Sequence, residues 1–125
     1  MLFRSVHPGD FFVDSLPSYD VGVLMHVLHD WADPEVAAIL RATRAAAQPG
    51  STLLVYETLM PDDVADVHSP DSWRPKVLDV LMLTITGGRE RTRAEFAVLL
   101  AAARFELTRV IPLPTGSSIV EAKAV

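Results

Sequence analysis

Apolar and polar positions divide this chain into short blocks of two different periods. The first block, Val21-Gly-Val-Leu-Met-His-Val-Leu28, is almost unbroken and stops at His29-Asp30. Eight mostly aliphatic residues bounded by turn signals predict a strand buried on both faces, as in a parallel sheet. Beyond Asp33-Pro34-Glu35 the period lengthens: Val36, Ile39, Leu40 and Thr43 recur at helical spacing, leaving Arg41 and Arg44 for the outer face. Asp33 suits the N-cap, Pro34 the first helical position, and Glu35 the positive end of the helix dipole. Pro49-Gly50 closes this helix, and Ser51-Thr-Leu-Leu-Val-Tyr-Glu57 predicts a second buried strand. The three elements make a β-α-β unit with a right-handed crossover expected.

Residues 61–72 hold Asp62, Asp63, Asp66, His68 and Asp71 with two prolines, and predict a surface loop. A helix is expected from about Pro75 to Thr84, with Val77, Leu78, Leu81 and Ile85 as its apolar stripe and Gly87-Gly88 as its stop. Thr92-Arg-Ala-Glu95 is a capping box, in which threonine oxygen and glutamate each satisfy a free backbone N–H. Phe96, Leu99, Leu100 and Ala103 form the buried face behind it. Two strands near 105–111 and 117–123 close the chain. The short connection Pro112-Leu-Pro-Thr-Gly116 makes them an antiparallel pair. The order is β-α-β-α-α-β-β, an α/β class.

Composition narrows the function classes. The chain has 125 residues, half of them apolar, which suits one domain or part of one. Its net charge of −5, with no run of Lys or Arg, argues against nucleic acid or an anionic membrane as partner. With no cysteine there is no disulfide, no thiolate metal site and no thiol nucleophile, which fits a reducing, cytoplasmic location. No apolar stretch approaches the roughly 20 residues needed to span a bilayer, and Met1-Leu-Phe-Arg4 is too short for a signal peptide.

Open α/β sheets bind ligands just past the carboxyl ends of their strands. His29 is therefore a titratable group delivered to a site. If residues 21–28 and 52–56 are neighbouring parallel strands, about 4.8 Å apart, His29 and Glu57 emerge at the same sheet edge. A His-Asp pair also suggests metal-dependent phosphohydrolases, for which His7, His26, His68 and Asp79 are available. That reading is set aside because such sites sit on helices. On a strand, moreover, His26 and His29 point to opposite faces and cannot share a metal, so no metal is expected.

Four ordered blocks carry a family resemblance. They are Gly9-Asp10-Phe11-Phe12, then Val27-Leu28-His29-Asp30-Trp31, then Glu57 at a strand end, then Gly87-Gly88-Arg89-Glu90-Arg91-Thr92 with Glu95-Phe96. Together they resemble the small-molecule O-methyltransferases, the S-adenosylmethionine-dependent enzymes of the plant caffeate type and their bacterial relatives. The resemblance implies the C-terminal half of a Rossmann-like methyltransferase domain over residues 1–125, parallel strands followed by a terminal antiparallel pair. The helical dimerisation domain and the glycine-rich cofactor loop of the family have no counterpart here.

The resemblance further implies methyl transfer from S-adenosylmethionine to a hydroxyl of a small, aromatic metabolite. His29 would be the base, flanked by Glu57 and by Glu90 from the opposite side. Asp10 and Phe11 would meet the adenine end of the cofactor. Asp30 would lie at the substrate pocket, with Met82 as a soft wall against an aromatic acceptor. The family often has a lysine four residues before the base; here Met25 stands there. The family usually ends the helix after the capping box with a glycine before a phenylalanine; here Arg104 precedes Phe105, at a cost of about 1 kcal/mol if that residue is left-handed. Alone, residues 1–125 are expected to show weak or no activity. The second reading is a non-catalytic or complementing fragment that self-associates or pairs through the open edge of strand 21–28.

Overall fold

The computed structural model describes residues 4–62 and 73–125. Asp63, Asp66, His68 and Asp71 of the expected surface loop lie outside them. The elements run β1 (Tyr19–Met25), a single 3-10 turn (Leu28–Asp30), α1 (Asp33–Ala46), β2 (Ala47–Glu57) and β3 (Leu59–Met60). They continue with α2 (Trp73–Ile85), β4 (Arg91–Thr92), α3 (Arg93–Ala102), β5 (Phe105–Pro112) and β6 (Ser118–Ala124). The main sheet has the order β1-β2-β6-β5. β1 and β2 are parallel, while β6 runs antiparallel to both β2 and β5. The expected α/β class, parallel unit and closing antiparallel pair are all present. The two-residue parallel ladder β3-β4 was not expected from the sequence.

Period-two patterning fixes the faces. Along β2, Ser51, Leu53, Val55 and Glu57 are buried while the residues between them are half-buried. Leu53 and Val55 pack with Val36, Ile39 and Leu40 of α1, Phe96 and Leu100 of α3, and Val120 and Ala122 of β6. Each such aliphatic or aromatic side chain contributes roughly 1.5–3 kcal/mol by leaving water. Glu57 stands on this same inward face, and that is why a carboxylate ends up in the core.

Two expectations about burial are overturned. β1 is not buried on both faces: it is an edge strand here, and Val21, Val23 and Met25 are each about 60% exposed. It also ends at Met25, three residues early, because His26 takes a left-handed conformation with φ 52°. The α2 stripe is likewise not covered, since Val77, Leu81 and Ile85 are exposed and Leu78 is only half-buried. Among the described residues, α2 meets the rest of the chain through buried Pro75, through Arg74, which donates to the Thr115 carbonyl, and through Asp79, which accepts the Glu90 N–H.

Helix ends follow the sequence more closely. The α1 stripe of Val36, Ile39, Leu40 and Thr43 is buried as the spacing requires. Its N-cap, however, is Ala32, which places Asp33 and Pro34 inside the first turn. Asp33 instead accepts two hydrogen bonds from the Arg91 guanidinium, at 3.0 and 2.8 Å. The α3 capping box forms in both directions: Glu95 N–H donates to Thr92 Oγ1 and Thr92 N–H donates to Glu95 Oε2. Arg104, just past the Ala103 C-cap of α3, has φ 64°, so the condition stated for it is met and the position is left-handed.

Candidate active site

The left-handed turn at His26 decides where the functional groups go. It breaks the strand alternation, and Val27 through Asp30 coil into a 3-10 turn just past the carboxyl end of β1. The His26 N–H still donates to the Tyr56 carbonyl at 3.0 Å, so the turn stays tied to β2. Glu57, the next residue of β2, receives the turn from below. Its Oε1 accepts the backbone N–H groups of Leu28 at 2.9 Å and of His29 at 3.3 Å. Those are the free amides at the start of the turn, and a carboxylate there also meets the positive end of its dipole.

His29 is thus presented from a clamped turn rather than from a strand tip. Its Nδ1–H donates to Glu90 Oε1 at 3.0 Å, and Glu57 Oε2 lies 3.4 Å from the same nitrogen. The structure therefore brings all three residues together, but not with the carboxylates on opposite sides. Both glutamates address Nδ1. The other nitrogen, Nε2, has Asp30 Oδ1 at 3.6 Å. A proton held at Nδ1 leaves the Nε2 lone pair available, which is the arrangement a general base requires.

The electrostatics reflect crowding of three carboxylates around one imidazole. The hydrogen bond to Glu90 raises the His29 pKa above 6.5; burial opposes this, and the charges of Glu57, Glu90 and Asp30 reinforce it. Burial pushes Glu57 up to about 7, the Glu90 charge adds to that, and His29 with the two backbone amides opposes it. Glu57 Oε2 is fully buried and has no hydrogen-bond partner among the described residues.

Arg91 holds this assembly together, and nothing in the sequence periodicity marks it. Its side chain is fully buried and donates to the carbonyls of Leu28, Trp31 and Arg89 as well as to Asp33. A charge in a polar loop is ordinarily a solvated group. Here the loop carbonyls needed a multiple donor, and Arg91 supplies it. Gly88 is required for a different reason. A Cβ at that position would overlap the His29 carbonyl oxygen, and the next amide, Arg89 N–H, donates to that oxygen at 2.9 Å. Asp79 of α2 accepts the Glu90 N–H at 2.8 Å and so positions the Glu90 loop.

The remaining predicted residues are less central. Asp10 builds a turn: its Oδ1 accepts the Phe12 N–H at 2.8 Å and its backbone N–H donates to Asp14 Oδ2 at 2.7 Å. Phe11 is half-buried and meets Trp31 edge-on at 6.2 Å, while Phe12 meets Trp31 at 4.9 Å. Trp31, passed over as a site residue, therefore couples the Asp10–Phe11 turn to the His29 turn. Met25 is exposed on β1 and offers no cationic donor. Met82 is half-buried on α2 and does not line the cavity beside Glu90, whose walls include Met60, Asp79, Arg89 and Glu95. A larger cavity of about 630 Å³, between Leu59–Asp62 and the β5–β6 turn, holds none of His29, Glu57 or Glu90.

The expectation that His26 and His29 face apart is overturned. Their ring centroids are 5.3 Å apart and the rings are tilted by 31°. Alternation holds only within a strand, and the strand has ended before His26.

Comparison with known proteins gives the family of the chain. A family model described as an O-methyltransferase domain matches residues 4–106. The phenazine O-methyltransferase PhzM of Lysobacter antibioticus is 40% identical over 117 residues, covering 94% of this chain and 33% of that protein. The crystal structure of LaPhzM superposes with a TM-score of 0.84 at 42% identity, covering 94% of this chain and 33% of its own. That of NcsB1, from neocarzinostatin biosynthesis, in complex with S-adenosylmethionine and 2-hydroxy-5-methyl naphthoic acid, superposes with a TM-score of 0.77 at 36% identity, with 94% and 32% coverage. The chain spans about a third of the length of the relatives it matches.

Proposed function

Because this chain belongs to the O-methyltransferase domain family, we propose that it carries the acid–base half of a methyl transfer to a hydroxyl of a small aromatic metabolite. The observation that carries the reading is the 3.0 Å approach of His29 Nδ1 to Glu90 Oε1; a carboxylate there accepts, so Nδ1 donates and Nε2 is left as the acceptor. His29 removes the acceptor's proton through Nε2. Glu90 and Glu57 fix the tautomer and stabilise the imidazolium as it forms. A phenol near pKa 10 and an imidazole near 6.5 differ by about 3.5 units, roughly 5 kcal/mol, and the raised pKa of His29 narrows that gap.

S-adenosylmethionine supplies an electrophilic methyl group when bound. The Asp10–Phe11 turn fits its adenine end as one wall: Phe11 offers a half-buried aromatic ring, and among the described residues Asp10 uses its Oδ1, not its Oδ2, as a hydrogen-bond acceptor. Asp30, beside Nε2 and partly exposed, is the side chain best placed to meet the acceptor. Met82 is assigned to the acceptor wall on the family resemblance alone. The naphthoic acid bound to NcsB1 supports a fused or substituted aromatic acceptor.

The test grafts residues 1–125 in place of the matching segment of the phenazine O-methyltransferase and follows transfer of labelled methyl. His29→Gln is expected to lower turnover by about 10²–10⁴-fold. An active, folded graft in which His29→Gln keeps its rate overturns the assignment of the base. Residues 1–125 alone are expected to bind S-adenosylmethionine weakly; micromolar affinity by calorimetry with turnover of a phenol would contradict that.

A second reading, a complementing or self-associating fragment, is favoured by the open edge of β1 with Val21, Val23 and Met25 exposed. Sedimentation showing a monodisperse monomer at high concentration would count against it.

A further inference from the structure

We propose that His26, His29 and Glu57 form a site for a divalent transition-metal ion of the zinc type, held through Nδ1 of each imidazole and Oε2 of Glu57. The ligand atoms of these three residues lie within 4.8 Å of one another. Glu57 Oε2 is 3.4 Å from His29 Nδ1 and 3.8 Å from His26 Nδ1. Bonds of about 2.05 Å in a tetrahedron separate neighbouring donors by about 3.3 Å, so two edges of the polyhedron are nearly formed already. His26, partly exposed at the end of β1, is the ligand that adjusts, and the fourth position opens on its solvent side.

Independent features point to a ligand rather than to a chance cluster. Glu57 Oε2 is fully buried, has no hydrogen-bond partner among the described residues and faces both rings. A buried oxygen left unpaired is costly, and native structures rarely keep one without use. Its companion Oε1 is anchored by two backbone amides, the kind of outer support that orients metal-binding carboxylates. The left-handed backbone at His26 brings its ring beside His29, and such strain in a non-glycine residue gathers at working sites. Two imidazoles and one carboxylate select zinc and its neighbours over magnesium or calcium, which prefer oxygen.

Metal and proton compete for one atom, Nδ1 of His29, which otherwise donates to Glu90. A metal bound there requires the other tautomer: the single hydrogen of the neutral imidazole moves from Nδ1 to Nε2, and the Nε2 lone pair is no longer available. Where His29 serves as the methyl-transfer base, which is the reading proposed above, occupancy switches the base off. The site itself does not depend on that reading.

The experiment titrates residues 1–125 with Co²⁺ near neutral pH, follows the intense visible bands of tetrahedral cobalt, and displaces the cobalt with Zn²⁺. His26→Asn keeps a residue that tolerates the left-handed turn, and Glu57→Gln keeps an acceptor for the two amides. Each is expected to weaken Zn²⁺ binding by about 100-fold, at least what loss of a supporting partner costs. His7→Ala should change nothing, and circular dichroism verifies that each variant is folded. Failure of the wild type to bind Zn²⁺ at up to roughly 100 μM, or equal affinity in folded His26→Asn and Glu57→Gln, overturns the proposal. The readout is the metal alone, so loss of the methyl-transfer reading would leave the outcome interpretable.

Discussion

His29 Nδ1 donates to Glu90 Oε1 at 3.0 Å, although the two residues are 61 positions apart in the chain. The bond joins the turn after β1 to the loop before α3, and it selects which nitrogen of the imidazole is free. Glu90→Gln removes the charge but leaves an oxygen to accept. The His29 ring should titrate above 6.5 in the wild type and at lower pH in the variant, by NMR of the imidazole protons. An unchanged midpoint would mean that Glu90 does not govern the base.

Glu57 makes stability depend on pH in an unusual direction. Its folded pKa is raised to about 7 from 4.5, so the folded state binds more protons across that interval and unfolding free energy falls as pH rises through it. His29 acts in the same sense: its raised pKa contributes stability that is present below 6.5 and lost as pH climbs through the folded value. Glu95 and Glu121, both lowered, complete their titration at more acidic pH and do not oppose this. Urea unfolding should therefore show a more stable protein near about pH 5 than near about pH 8, with Glu57→Gln stabilising at the higher pH by up to about 3 kcal/mol. A wild type that gains stability over this range would refute the assignment.

Arg104, two residues past α3, has φ 64°, and its carbonyl accepts from Val125 N–H and from Arg44 Nε–H. Neither bond uses the Arg104 side chain. Arg104→Gly should raise stability by about 0.5–1 kcal/mol in thermal or chemical unfolding, because glycine adopts this conformation without a Cβ clash.

Arg91 and Asp33 form an ion pair, but the two ends are not equivalent. Arg91 is buried and serves three carbonyls, whereas the Asp33 side chain is about half exposed. Arg91→Ala should cost about 3 kcal/mol or more by leaving those acceptors unpaired. Asp33→Ala should cost less than about 1 kcal/mol. Equal costs would show that the ion pair, not the carbonyl cluster, carries the stability.

Gly88→Ala puts a methyl group against the His29 carbonyl, which is backbone and cannot swing aside. The variant should lose about 1–3 kcal/mol and shift the His29 and Glu90 resonances together.

The sequence by itself determined the elements whose signals are local. The α1 stripe, the Thr92–Glu95 capping box and the β5–β6 pair each depend on residues within a few positions of one another. The ordered blocks around His29, Glu57 and Glu90 also marked the family and the residues that meet. Tertiary structure alone decided the rest. Whether β1 is covered depends on what lies beside it, and the edge position leaves Val21, Val23 and Met25 exposed. The arrest of the strand at Met25 depends on a single left-handed residue, His26, of a type for which the pattern of apolar positions gives no warning. That one dihedral angle turned two histidines, expected on opposite faces, into neighbours above a buried carboxylate. Arg91 and Glu57 are charged residues in the interior, and only the long-range hydrogen bonds that compensate their burial could show why they are there.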